Sequence, residues 1–403
     1  VVPRDVAAWA RAVTGPLPAP PPAPPELTAT GNRHLAVYRD AVAARTRDRF
    51  ASLHLAVYTD ADRVAGAEHA LGALLAGLDP ALRVTVVGTD AAVVRRLAAQ
   101  RPGAETSVLR PVRGKTDLRG ALEHLRAVRR LRPDVLQLNL RHPYSCQYAL
   151  AAGLATRGVR VVAVEHRPVP AADRLQRLLK RLTSRRLAAH VAVSDSSARE
   201  VERLAGLPDG SVRTIHNGLA PVDPAPRRGG GTLLGAAGRF VPQKGFDVLL
   251  RALAELPQAS LLLVGDGPER PRLERLVDEL GLRDRVELTG WRPDAARLLA
   301  AVDAVVVPSR AEPFGLVALE AMSAGVPVIA SAVDGLAEVV TDGETGLLVP
   351  PDDPRLLAEA IARVLVDRSL SRALGERGRE VATTAFSRER MTGAFEDLYR
   401  AVL

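Results

Sequence analysis

The feature that most constrains this chain is a repeated pattern: a short, unbroken apolar run, a turn, then a longer Ala/Leu/Arg segment. The first set of runs comprises LHLAVYT (53–59), RVTVVG (83–88), DVLQLNL (134–140), RVVAVEH (160–166) and HVAVS (190–194). After APRRGGG (225–231) the pattern restarts with TLLGAAG (232–238), SLLLVGDG (260–267), RVELTG (285–290), AVVVPS (304–309) and PVIAS (327–331). A strand that is apolar on both sides must be covered on both faces, and helices between such strands supply the cover and force parallel pairing. The expected class is therefore α/β, as two successive doubly wound, Rossmann-like parallel-sheet domains joined near residues 222–231. A length of 403 residues suits two cores better than one.

The first 50 residues do not follow this pattern. PLPAPPPAPPELTATGN (16–32) is too rich in proline for helix or sheet, because proline fixes φ and lacks an amide donor. Residues 1–50 are thus expected to be a Pro-rich extension, 51–222 the first domain and 223–384 the second. HLAVYRD (34–40) shares six of seven residues with HLAVYTD (54–60), but the flanking segments do not match, and the first copy is read as coincidence within a helix. Pro16 to Pro25 fall where a secretory segment would need an apolar core, and the chain begins with Val. No stretch approaches the ~18 unbroken apolar residues of a spanning helix. Cys146 is the only cysteine, which rules out a disulfide framework or thiolate metal cluster and suits a reducing cytoplasm. Aromatic residues make up only 3%, too few for a base-stacking platform, so no nucleic-acid partner is expected.

Net charge is unevenly divided. Residues 1–222 carry 33 Lys/Arg against 19 Asp/Glu, a balance of +14, whereas 223–403 carry 22 against 27. Two readings fit: an anionic partner for the first half, or arginines decorating solvated helix faces. The segment DRLQRLLKRLTSRR (173–186) poses the same choice. Leu175, Leu178, Leu179 and Leu182 share one helical face, and Arg174, Arg177, Lys180 and Arg181 lie opposite. It suits an anionic membrane surface, but a helix packing its leucines on the sheet has the same pattern, and packing is the default.

Chemistry concentrates in PSRAEPFGLVALEAMSAGVPVIAS (308–331). A strand ends at Pro308, a loop carries Glu312, and a helix is expected to begin near Phe314. Its first turn has amides without intrahelical acceptors and a partial positive charge, which makes Gly315 and Leu316 an anion site at a sheet edge. Glu312 stands at the mouth, placed to accept from sugar hydroxyls, and Glu320 is placed for a ribose diol. This pattern resembles the Glu–seven residues–Glu motif of the retaining family 4 glycosyltransferases, which have the GT-B fold: two such domains facing a cleft. The resemblance implies that Glu312 contacts the donor sugar, Glu320 the ribose, and the intervening amides, with Phe314, Gly315 and Leu316, the diphosphate.

GAAGRFVPQKGFDVLLRAL (235–253) is similar to the same family's phosphate loop. Arg239 and Lys244, 73 and 68 residues before Glu312, would neutralise the departing diphosphate. VGDGPER (264–270) reads as a structural turn. In RVELTGWRPD (285–294), where relatives hold the base, Arg292 is the base-edge candidate and Trp291 is read as packing. TDADRVAGAEHALGALLAGL (59–78) is similar to the family's Gly-Gly-Ala-Glu loop, with Ala65 in place of the first glycine and Gly66 available to approach the donor. His166 follows a strand at the position where relatives hold a His near the donor sugar; capping the strand end is the other reading. In TIHNGLAP (214–221), Ala220 replaces the family's Asp. Asp60-Ala61-Asp62 has the spacing of a metal-binding Asp-x-Asp, but it follows the first strand, and the cations of the second domain make a metal unnecessary, so no metal site is expected.

The resemblance covers roughly residues 52–403. It implies a nucleotide-diphosphate sugar of UDP or GDP type as donor, with no cofactor, and a helix in AFSRERMTGAFEDLYRAVL (385–403) that returns toward the first domain. The acceptor is open: anionic, lipid-linked, polysaccharide or natural product, with peripheral contact at the inner membrane face as one setting. Two other classes remain. One is a GT-B glycoside phosphorylase working with orthophosphate. The other is a non-enzymatic glycan-binding subunit.

Overall fold

The computed structural model describes residues 52–112, 114, 117–223, 225–226 and 231–403, and Leu53–Leu403 form one compact unit. The proline-rich segment and the HLAVYRD echo lie outside the described residues.

Strands β1 (His54–Thr59), β2 (Arg83–Gly88), β3 (Glu105–Val108), β4 (Val135–Leu140), β5 (Arg160–Glu165), β6 (Ala189–Ala192) and β7 (Arg213–Thr214) form one sheet, in the order β3-β2-β1-β4-β5-β6-β7. Strands β8 (Thr232–Ala237), β9 (Ala259–Val264), β10 (Val286–Gly290), β11 (Ala304–Val307), β12 (Val328–Ser331) and β13 (Leu347–Val349) form the second, in the order β10-β9-β8-β11-β12-β13. All pairings between these strands are parallel. Central strands β1 and β4 are buried along their whole length, as unbroken apolar runs require. The sequence reading overlooked β3, β7 and β13. ETSV of β3 is polar and mostly exposed at a sheet edge, whereas β7 with two residues and β13 with three are too short to stand out as apolar runs.

Several of the helices begin on acceptor side chains. Asp90 accepts from the amides of Ala92 and Val93, Ser194 from Ser197, and Asp353 from Leu356. The last helix, Arg388–Val402, lies against the first lobe. It buries Met391, Thr392, Phe395, Leu398 and Tyr399 on one stripe, and the Tyr399 hydroxyl hydrogen-bonds Gln137 in the middle of β4. Glu396 Oε1 accepts from the Asp79 amide at 2.8 Å.

The basic segment forms the helix Arg174–Ser184 but reverses the expected orientation. Packing on the leucines was the default; instead Lys180 and Ser184 face inward, and Leu175, Leu178, Leu179 and Leu182 are 64%, 50%, 53% and 49% exposed. The cause lies at the end of β5. Glu165 is fully buried there and is met by Lys180 Nζ, with His190 Nε2 at 2.7 Å. Burial alone would raise the Glu165 pKa, but Lys180 and then His190 hold it down at about 2. A buried carboxylate left without its cation would cost several kcal/mol, roughly 3–5, so this pair determines which face of the helix turns inward.

Candidate active site

In each sheet the strand order reverses once, between β1 and β4 and between β8 and β11. Loops leaving adjacent strands there turn to opposite faces, which opens a crevice beyond the carboxyl ends. A cleft of about 1140 Å³ is lined by the residues that follow these strands. Gly66, His166, Arg239, Lys244, Arg292, Glu312, Phe314, Gly315, Leu316 and Glu320 all border this one cavity, from the ends of β1, β5, β8, β10 and β11.

The two loops of the second lobe are knitted together. Gly245 (φ +65°) turns the chain so closely under Pro308 that a Cβ would lie 1.9 Å from the Pro308 carbonyl oxygen. This places Lys244 Nζ 2.5 Å from Glu312 Oε2, which also accepts from Ser309 Oγ at 3.1 Å. Arg310, which the sequence reading passed over, donates to both oxygens of Asp247 (2.9 and 3.0 Å) and to the Pro242 carbonyl, tying one loop to the other. A bidentate pair of this kind has no local sequence signal, because its partners are 63 residues apart. In VGDGPER, Gly265 (φ +145°) lies against the Gly238 carbonyl, where a Cβ would come within 1.9 Å, so the turn gives the Arg239 loop its backing. Arg239 is exposed in the cleft and makes no ion pair among the described residues.

The helix after β11 begins at Leu316, with Gly315 (φ +105°) as its N-cap, rather than near Phe314. Phe314 is buried and packs against His216 and Phe386, with ring centroids 6.0 and 5.9 Å away. The amides without intrahelical acceptors are therefore those of Leu316, Val317 and Ala318. Across the cleft, the helix Gly66–Gly77 also starts at the rim, and a Cβ on Gly66 would lie 3.6 Å from Leu316 Cδ1. Two positive helix ends thus approach each other beside Arg239 and Lys244, a strong field for a diphosphate. One turn further in, Glu320 has no charged or donor group against it among the described residues, and burial raises its pKa to about 7.

His166 hydrogen-bonds Asn139 Oδ1 through Nε2 at 2.7 Å. The Asn139 amide nitrogen faces two acceptors, the Ala67 carbonyl and Glu68 Oε1, each at 3.3 Å. That orients Asn139 Oδ1 toward the imidazole and places the proton on His166 Nε2. Burial lowers the His166 pKa to about 4, so the ring is neutral and Nδ1 is left as an acceptor. Glu68 is buried and accepts from Thr59 Oγ1 (3.1 Å) and the Ala65 amide (3.3 Å), so it braces the β1 loop.

Around the cleft, further side chains are held by contacts that no local sequence pattern shows. Glu165 ends the same strand as His166 but points away from the cleft, to Lys180 and His190. Trp291 does not pack: it is 57% exposed, with the Arg96 guanidinium of the first lobe 5.8 Å above its ring. Arg292 stands at the rim, in a two-point pair with Asp294 at 2.9 Å for each bond. Asp60 accepts from the Cys146 amide at 2.6 Å, and Arg141 bridges Asp60 and Asp62 at 3.6 and 3.3 Å. Asp195, His216 and Glu338 bring ligand atoms within 4.8 Å of one another, but as a clasp between lobes. Glu338 accepts from the amides of Asp195 (2.8 Å) and Ser196 (2.7 Å) and contacts His216 Nε2 at 3.1 Å. Ser194 Oγ donates to the carbonyl of Pro313, next to Glu312, at 2.7 Å.

Residues 224–381 match the family model described as Glycosyl transferases group 1, and residues 64–222 the model described as Glycosyltransferase Family 4. The lipopolysaccharide core biosynthesis glycosyltransferase LpsD of Rhizobium meliloti is 47% identical over 162 residues, 40% of this chain and 47% of that protein. A D-inositol 3-phosphate glycosyltransferase of Saccharomonospora viridis is 36% identical over 284 residues, 63% of this chain and 62% of that protein. The first of these matches thus spans about half the length of its curated relative. Among solved structures, Anabaena HepE in complex with UDP-glucose superposes with a TM-score of 0.75 over 86% of this chain and 98% of that one. At 22% identity that likeness is one of fold. Two family models in tandem over residues 64–381, on two parallel sheets facing a cleft, place this chain in the family 4 glycosyltransferases of the GT-B fold.

Proposed function

We propose that the protein is a retaining glycosyltransferase that moves a sugar from a UDP- or GDP-sugar to an acceptor hydroxyl. The observation that carries this reading is the convergence of two helix N-termini, Arg239 and Lys244 on one point, with the unpaired Glu320 one turn behind it. The diphosphate lies against the amides of Leu316 and Val317, with Arg239 and Lys244 offsetting the charge that grows as the anomeric C–O bond breaks. Glu320 accepts from the ribose diol. Glu312 and Nδ1 of His166 accept from hydroxyls of the donor sugar, and Arg292 stands by the base. The acceptor oxygen bonds to the anomeric carbon on the face the diphosphate leaves, and its proton passes to a departing phosphate oxygen. Lys244 already pairs with Glu312, which favours this route over a covalent intermediate on that carboxylate. No organic cofactor or divalent metal takes part. UDP-glucose, the ligand of the Anabaena neighbour, is the first donor to test.

The acceptor meets the first lobe, whose sequence half carries the +14 balance, and a phosphate-bearing or lipid-linked acceptor at the inner membrane face suits that charge. Transfer from a panel of nucleotide sugars, with the anomeric configuration of the product read by NMR, tests the reading. Lys244→Ala should cut turnover by ~10²–10³ with the fold intact. Near-wild-type turnover in that variant, or an inverted product, would overturn it, and activity with orthophosphate and a disaccharide, but none with a nucleotide sugar, would make the enzyme a phosphorylase.

A further inference from the structure

The helix Arg174–Ser184 is oriented in a way its own composition does not favour. Four leucines at i, i+3, i+4 and i+7 (Leu175, Leu178, Leu179, Leu182) are about half exposed or more, and the inward stripe is Lys180 and Ser184. Leaving a leucine in water instead of burying it forgoes about 1.5–3 kcal/mol, so a stripe of four is costly unless something apolar covers it. Among the described residues, only ten large apolar side chains are notably exposed, and four are on these three turns. Beside the stripe, the exposed Arg174, Arg177 and Arg181 form a second arc, and Arg185 and Arg186 extend it past the C-terminus. None of these five arginines makes an ion pair among the described residues.

We propose that this helix is an in-plane membrane anchor that seats the first lobe on an anionic phospholipid surface, its leucines between acyl chains and its arginines on lipid phosphates. The charge decides the occupant. A protein partner covering four leucines would need no ring of five uncompensated arginines, whereas an anionic headgroup layer supplies a counter-charge for each. Lys180 is part of the device, because its bond to buried Glu165 locks the helix with the leucines outward, so the anchor is ready before lipid arrives. The helix follows β5 and His166, so docking would hold the cleft near the membrane surface. The inference narrows the acceptor setting proposed above to the bilayer surface, but it stands or falls by lipid binding and does not depend on transferase activity.

The full chain is sedimented with vesicles of phosphatidylcholine alone and of phosphatidylcholine mixed with phosphatidylglycerol, at low and high salt. Binding is expected to the mixed vesicles only, and to weaken with salt. Leu178→Gln/Leu182→Gln should lower it by about tenfold or more at every salt concentration, and Arg177→Gln/Arg181→Gln should reduce the salt dependence by roughly two fifths. A polarity-sensitive dye on Leu178→Cys, where the other thiol, Cys146, is buried, should shift to the blue only when mixed vesicles are added. Absence of binding, unchanged binding by the leucine variant, or a dye already shielded without lipid would each overturn the proposal. So would a wild-type dimer that the leucine variant converts to monomer, since a second copy would then be the cover.

Discussion

Glu320 allows a quantitative test with two independent readouts. Burial raises its pKa from 4.5 to about 7, with no cation or donor to offset it. A carboxyl whose folded pKa lies above its unfolded value destabilises the fold: the cost is absent below the unfolded pKa, grows through the interval and is complete above the folded pKa. At about 1.4 kcal/mol per pH unit, the charged group costs about 3 kcal/mol at pH 8 and under about 1 kcal/mol at pH 5. Glu320→Gln keeps the shape and removes the charge. The ligand-free variant should therefore melt higher than wild type by roughly 3–5 °C at pH 8, and by a small fraction of that at pH 5. Nucleotide binding should respond in the opposite sense. A ribose diol donating to Glu320 favours the carboxylate, so wild-type binding releases a proton and weakens by up to about tenfold per unit as pH falls below 7. Calorimetric titration with UDP and GDP in buffers of different ionisation enthalpy counts that proton, and Glu320→Gln should bind more weakly and without the pH dependence. An equal stability gain at both pH values, or a wild-type affinity that ignores pH, would refute the reasoning.

Two further predictions concern catalysis. Transfer should persist in excess chelator; if it disappears and Mn²⁺ restores it, Asp60 and Asp62 must be released from Arg141 and the Cys146 amide to serve a metal. Ser194→Ala/Ser197→Ala deletes both first-lobe hydroxyl donors to the Pro313 carbonyl and should lower turnover about tenfold with little change in nucleotide affinity, and unchanged steady-state kinetics would show that the clasp does not position Glu312.

Much of the second lobe was legible because its signals are local. Arg239, Lys244, Glu312 and Glu320 lie within loops and helix starts that follow apolar strands, and strand–loop–helix order is written in consecutive residues. Where the reading failed, the deciding contact was distant. The helix start moved from Phe314 to Leu316 because Gly315 adopts a left-handed turn while Phe314 joins His216 and Phe386, from two other segments. Trp291 looked like a packing residue because nothing nearby in sequence announces Arg96, which reaches it from the other lobe.

The sequence by itself determined the two-sheet architecture, because strands apolar on both faces, alternating with helices, have no other stable arrangement than covered parallel sheets. It also determined which strand ends carry cations, carboxylates and glycines. Tertiary structure alone decided what those groups became. The reversals of strand order at β1/β4 and β8/β11 brought five strand ends to one cleft. Burial without a partner raised Glu320, and burial with Lys180 and His190 left Glu165 charged. The orientation of the helix Arg174–Ser184 followed from the same physics: its leucine stripe is visible in sequence, but the need of buried Glu165 for a cation turned Lys180 inward and the leucines out.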